Sequence, residues 1–126
     1  MGARAGKVWR MRTRLKKRYL ELAKGWYGMT SSCGSIPRWS SDYNEKELEK
    51  YVDALEYIGA KECAEVVRCC IAKNKKLRSL FDKYWSHDDD AAEVEFDKIC
   101  RKLEAMDAES EDEVLALITK KEKELK

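Results

Sequence analysis

Proline and glycine are scarce in this 126-residue chain, which holds a single proline, Pro37, and six glycines. So few obligatory breaks argue against a fold of many short strands and tight turns, and they leave room for long helices. Strand-forming residues do not alternate with polar ones over any long window, so the period-2 signal of a half-buried sheet is absent. Histidine is scarcer still, with only His87. A zinc site of mixed ligands would have no second imidazole, and the five cysteines form no C-x-x-C pair to replace it. No apolar run approaches the ~18 residues that a membrane-spanning helix requires, and no signal-peptide core follows Met1. The expected location is the cytoplasm. Walker loops, G-x-G-x-x-G turns, H-E-x-x-H helices and G-x-S-x-G elbows are all missing, so none of these catalytic frameworks is available.

Charge, by contrast, is abundant. Charged residues make up 40% of the chain and hydrophobic ones 44%, against roughly 25% charged in an ordinary globular domain. The apolar share is enough for one core in a chain of this length, and the excess charge has to be solvated on outward faces. The formal net charge of +2 hides a strong polarity. Residues 1–24 carry nine cations, among them Arg10, Arg12, Arg14, Lys16, Lys17 and Arg18, against the single acid Glu21. Residues 88–113 carry twelve acids, opposed only by Lys98, Arg101 and Lys102. A basic end and an acidic end follow. Cys63 and Cys70 lie seven residues apart, hence on one helix face, where thiols behave as small apolar groups. Together with the odd count, this predicts buried structural thiols.

Periodicity places the elements. Val8, Met11, Leu15 and Leu22 recur at helical spacing between Lys7 and Lys24, with Trp9 and Tyr19 beside them. From Gly25 to Asp42 the glycines, serines and Pro37 predict a loop. Its Trp26, Tyr27, Ile36 and Trp39 are too apolar for a free linker, so the loop is expected to pack on the helices or to be ordered by a partner. Asn44 and Glu47 have capping-box spacing and open a helix whose stripe is Leu48, Tyr51, Val52, Leu55 and Ile58, closed by Gly59. A third helix begins near Lys61 and buries Cys63, Ala64, Val66, Val67, Cys70 and Ile71. Lys73, Asn74, Lys75 and Lys76 are expected to fray its end, before Leu77, Leu80, Phe81, Tyr84 and Trp85 resume the pattern. Asp88, Asp89 and Asp90 suit the positive end of a further helix dipole, with Phe96, Ile99, Cys100, Leu103 and Met106 inward. Ser110 and Glu113 repeat the capping box before Val114, Leu117 and Ile118, and lysines close the chain. The predicted fold is all-α: a compact bundle of five or six helices around a central helical hairpin, Leu48–Ile71. The single domain, 1–126, divides into a basic helix (1–24), a packed loop (25–43) and a helical core (44–126).

For chemistry, His87 beside three aspartates suggests a metal site only superficially. Neighbouring residues point in different directions, whereas oxygen-ligand loops space their ligands at alternate positions around a glycine. An acidic helix start explains the run better, and no cofactor, metal or catalytic residue is expected. The first helix interleaves cations with Trp9 and Tyr19, a pattern for phosphate contact and base stacking or for lying on an anionic membrane. Gly2 invites N-acylation, but Gly6 stands where that motif wants Ser or Thr. The acidic stretch offers the opposite chemistry, since carboxylates on a rigid helical face can imitate duplex phosphates.

Two resemblances bear on these alternatives. The Ser40-Ser41-Asp42 entry, "ALEYIGAKECAEVV" at 54–67 and the closing "FDKICRKLEAMDAESEDEVLALITKK" resemble a bacterial domain-of-unknown-function family named after a DNA-mimic protein, over residues 39–126. That likeness implies an all-helical, non-enzymatic module whose partner is a protein. The expected partner is a basic DNA-binding regulator, met by Asp88, Asp89, Asp90, Glu93, Asp107, Glu109, Glu111, Asp112 and Glu113. An upstream Asn-Gly-Gly-Phe stretch typical of the family is replaced here by "GWYGMTSSCGSIPRW". The pieces "MGARAG", "KKRYLELAKGW" and "LRSLF" instead look like parts of a lentiviral matrix protein. This second likeness implies that Arg12, Arg14, Lys16, Lys17 and Arg18, with Arg10 on the same surface, meet RNA, DNA or acidic lipid.

Overall fold

The computed structural model describes the backbone of residues 2–125 and the side chains of residues 13–125. Among these it has six helices and no strand: α1 (Gly2–Cys33), α2 (Ile36–Ser40), α3 (Glu45–Ile58), α4 (Lys61–His87), α5 (Asp90–Glu104) and α6 (Glu111–Glu124). The all-α bundle and its central hairpin, α3–α4, are therefore as the sequence predicts.

That hairpin is set by its ends. Asn44 accepts the Glu47 N–H at 2.9 Å while the Glu47 carboxylate accepts the Asn44 N–H at 3.2 Å, fixing where α3 starts. Gly59, at φ +90°, is in the left-handed region that a side chain would strain, and it reverses the chain into α4 after one further residue. Between the two helices Leu48, Ala54, Leu55, Cys63, Ala64 and Val67 are fully buried. Leu20, Ala23 and Trp26 of α1 and Val114 and Ile118 of α6 close over the same core.

α4 is longer than this core needs. Beyond Asn74 it enters a second, smaller core, where its Leu77 and Leu80 pack on Ala92, Phe96 and Cys100 of α5. Asn74 itself is 1% exposed. Its amide donates to the Tyr43 carbonyl at 2.8 Å and to that of Ser40 at 3.4 Å, pinning the α2–α3 connection to the middle of α4. This partner explains why the Lys73–Lys76 stretch does not fray: its one inward residue has its hydrogen bonds met, and the lysines around it face water.

Three further expectations are corrected. The predicted loop over 25–43 is mostly helix: α1 runs nine residues past Lys24 to Cys33, and α2 occupies Ile36–Ser40. Gly25 and Gly28 face solvent, whereas the buried line Leu20, Ala23, Trp26, Thr30 keeps helical spacing straight through them. Packing thus overrides the weak propensity of the glycines. The break comes only at Gly34, with φ +76°, followed by Ser35 as N-cap of α2 and Pro37 in its first turn. Second, the core is not confined to 44–126, since Leu20, Ala23, Trp26 and Trp39 belong to it. Leu15, expected inward, is 37% exposed, while Val8 and Met11 have side chains outside the described residues. Third, Cys33 is exposed and Cys69 half-buried; only Cys63, Cys70 and Cys100 are buried thiols. Burial pushes Cys63 and Cys70 up to about 12 and Cys100 to about 11, so these three stay protonated and unreactive at neutral pH.

Candidate interaction surfaces

The acidic residues singled out from the sequence fall into two groups. Asp88 caps α4 in the left-handed region at φ 50°, where aspartate is tolerated better than most side chains. Asp89 is the N-cap of α5 and accepts the Ala92 N–H at 3.1 Å; Asp90 and Glu93 occupy the first turn. All four are exposed. They follow, along the chain, the tip of an aromatic ladder that climbs out of the smaller core. Phe96 is buried, and Phe81 and Tyr84 lie 5.7 and 5.6 Å from it between ring centroids. Trp85 stacks on Phe81 at 5.9 Å and 20°, yet is itself 72% exposed. Asp82, one turn back on α4, adds another carboxylate and lies 4.0 Å from the His87 imidazole. Burial raises the Tyr84 hydroxyl, and nearby Glu93 adds to the effect.

Asp107, Glu109, Glu111, Asp112 and Glu113 are not part of that corner. Glu109 accepts the backbone N–H groups of Glu62 at 3.1 Å and Cys63 at 2.7 Å, at the start of α4, whereas Asp88 marks its end. The 27 residues of α4 at 1.5 Å each put the two groups ~40 Å apart. The single acidic face expected over 88–113 is therefore two clusters. Several members also have local tasks: Glu109 caps α4, whose own N-cap Ala60 offers no side-chain acceptor, and Glu113 completes a capping box with Ser110. Glu111, Asp112 and Asp107 stay exposed. Pairing over 47 residues, as between Glu62 and Glu109, leaves no periodic trace in a sequence.

Of the basic residues, Arg10 and Arg12 have side chains outside the described residues. Arg14, Lys17 and Arg18 are exposed and make no ion pair among the described residues. Lys16 is half-buried and already engaged in an interaction, and it lines a shallow apolar groove with Leu15, Tyr19 and Tyr57. Further along α1, Lys24 pairs with Glu122 of α6 at 2.5 Å. Trp26 and Thr30 share a cleft with Ser110 and Val114, so α6 runs antiparallel to α1 and ends beside its basic stretch. Lys120 and Lys123, in the C-terminal half of α6, are also exposed. The positive end thus lies next to the start of α4, a helix length from the Trp85 corner.

The cleft between α1, α2 and the α5–α6 link holds about 300 Å³. Of its three carboxylates, Glu104 and Glu109 already have partners. Glu104 accepts the Ser35 hydroxyl at 2.5 Å and lies 3.6 Å from the Arg38 guanidinium. Arg38 also binds Asp97 at 2.6 Å, the hydrogen bond that raises it most, and sits 5.9 Å over the Phe96 ring. These contacts lock α2 onto α5. Among the described residues no group of three His, Cys, Asp or Glu is placed to hold a metal ion, and no helix is long and apolar enough to cross a membrane. No known protein family, characterised protein or solved structure matches this chain.

Proposed function

We propose that the chain is a non-enzymatic protein-interaction module of the cytoplasm that grips a basic partner with the acidic corner where α4 meets α5. The observation that carries this reading is Trp85, 72% exposed near the end of α4, in a stretch of chain that also presents Asp82, Asp88, Asp89, Asp90 and Glu93 to solvent. Tryptophan supplies large rigid contact area and is enriched where binding energy concentrates. Carboxylates around it steer a positively charged partner and exclude an anionic one. The resemblance to DNA-mimic-type domains implies a partner of the same chemistry, a protein of the class of DNA-binding regulators with a basic surface. The cytoplasm suits a chain whose five cysteines are all free.

A Lys/Arg-rich helical peptide titrated at low and moderate salt tests the proposal through Trp85 fluorescence and calorimetry. Trp85→Ala and the pair Asp90→Lys with Glu93→Lys are each expected to weaken binding at least tenfold. Glu111→Lys with Asp112→Lys, in the far acidic cluster, should leave it unchanged. Equal loss from both pairs would mean general charge attraction and would remove the corner as a site.

The second reading is a matrix-like module that meets RNA, DNA or anionic membrane through its basic end. It is favoured by Arg14, Lys17 and Arg18 standing exposed on α1, with Lys120 and Lys123 exposed on α6. Salt-sensitive retention on heparin that disappears in Arg14→Glu, Lys17→Glu, Arg18→Glu would select it, provided the peptide assay is negative.

A further inference from the structure

On the flank of the α4–α5 pair, outside both surfaces above, is a trough of about 560 Å³. Lys73 and Lys76 border it from α4, and Lys98 and Lys102 from α5. Between them the lining is apolar: Val94, which is 68% exposed, with Ile99 and Leu103. Glu95 is the only acid on it and is taken by Lys76 at 3.0 Å. Lys73, Lys98 and Lys102 make no ion pair among the described residues. Three unbalanced ammonium groups around an apolar trough, in the half of the chain that is otherwise acidic, form an amphipathic cationic site.

We infer that this trough binds a single-chain anionic amphiphile, an alkyl carboxylate being the simplest member, with its head held by the lysines and its tail along Val94, Ile99 and Leu103. The volume is that of a small-molecule site. From Val94 to Leu103 the α5 edge is ~13 Å long at 1.5 Å per residue, which suits an extended alkyl chain. Exposed ammonium–anion contacts are individually weak, so an anion without a tail is held poorly. Each methylene laid on the trough strengthens binding by up to about fourfold when fully buried. Affinity must therefore rise with tail length and fall with salt, a combination that neither a bare anion site nor a plain apolar groove produces.

Decanoate, hexanoate, acetate and decyltrimethylammonium, each below its micelle threshold, are titrated into the full chain by calorimetry and by amide chemical-shift mapping. Decanoate is expected to bind with one-to-one stoichiometry at least tenfold more tightly than hexanoate or decyltrimethylammonium, with shifts centred on residues 94–103. Lys98→Glu with Lys102→Glu should weaken it at least tenfold while the amide spectrum stays folded. Arg14→Glu with Lys17→Glu should change nothing, which separates this site from the basic end. Acetate binding as tightly as decanoate, decyltrimethylammonium binding equally well, or indifference to the α5 lysines would overturn the assignment. So would binding only to anionic vesicles, with no monomer uptake. None of these outcomes depends on the Trp85 corner.

Discussion

A carboxylate set against free backbone N–H groups at a helix start acts as a cap even when it arrives from a distant part of the chain. Glu109 does this for α4. Burial works to raise its carboxyl, but the hydrogen bonds from Cys63 and Glu62 overcome that and hold it below the ordinary 4.5. The folded state then binds this proton less readily than the unfolded one. The stabilisation is complete above about 4.5 and is lost as pH falls through the lower folded-state value. Glu109→Gln is expected to lower the unfolding free energy by about 1 kcal/mol at pH 7, with the difference from the parent shrinking at pH 3; urea titrations at both pH values measure it. A difference that stays constant would mean that shape rather than charge supplies the cap. The same role makes Glu109 a poor position for charge-reversal tests of binding, because its loss disturbs α4 itself.

Gly25 and Gly28 lie on the outer side of α1, with nothing within 4 Å of where a Cβ would sit. Glycine in a helix interior costs roughly 0.5–1 kcal/mol relative to alanine, so Gly25→Ala with Gly28→Ala should together raise the unfolding free energy by about 1–2 kcal/mol, read by urea denaturation. No gain, or a loss, would mean that the chain is not helical there. Glycine, serine and proline density pointed to a loop because it reports local preference. The burial period through Leu20, Ala23, Trp26 and Thr30 reports tertiary packing, and packing decides. Other elements were legible because their signals are local: Asn44 with Glu47, Ser110 with Glu113, and Gly59 each fix a boundary by bonds within a few residues. The continuity of α4 was harder to read, since Asn74 looks like a helix breaker until the carbonyls of Tyr43 and Ser40 are brought to it. The acidic corner was visible in composition, but not its outward Trp85, which sits in an apolar helical pattern and so looked buried.

Taken whole, the molecule holds carboxylates at both ends of α4, and Lys24–Glu122 is an ion pair by which α1 meets a late carboxylate. The two cores differ in size, the smaller being five buried residues from two helices. Opening that pair exposes less apolar surface than opening the main core, and local stability follows such burial. Hydrogen–deuterium exchange should therefore show α5 and α4 beyond Asn74 exchanging well before α3 and the first half of α4. Simultaneous exchange would mark a single cooperative unit instead. Because α4 crosses both regions without a joint, it also serves as a ruler: ~33 Å of unbroken helix at 1.5 Å per residue separates Trp85 from Cys63, so a single element sets the spacing between the outward indole and the Glu109 cap.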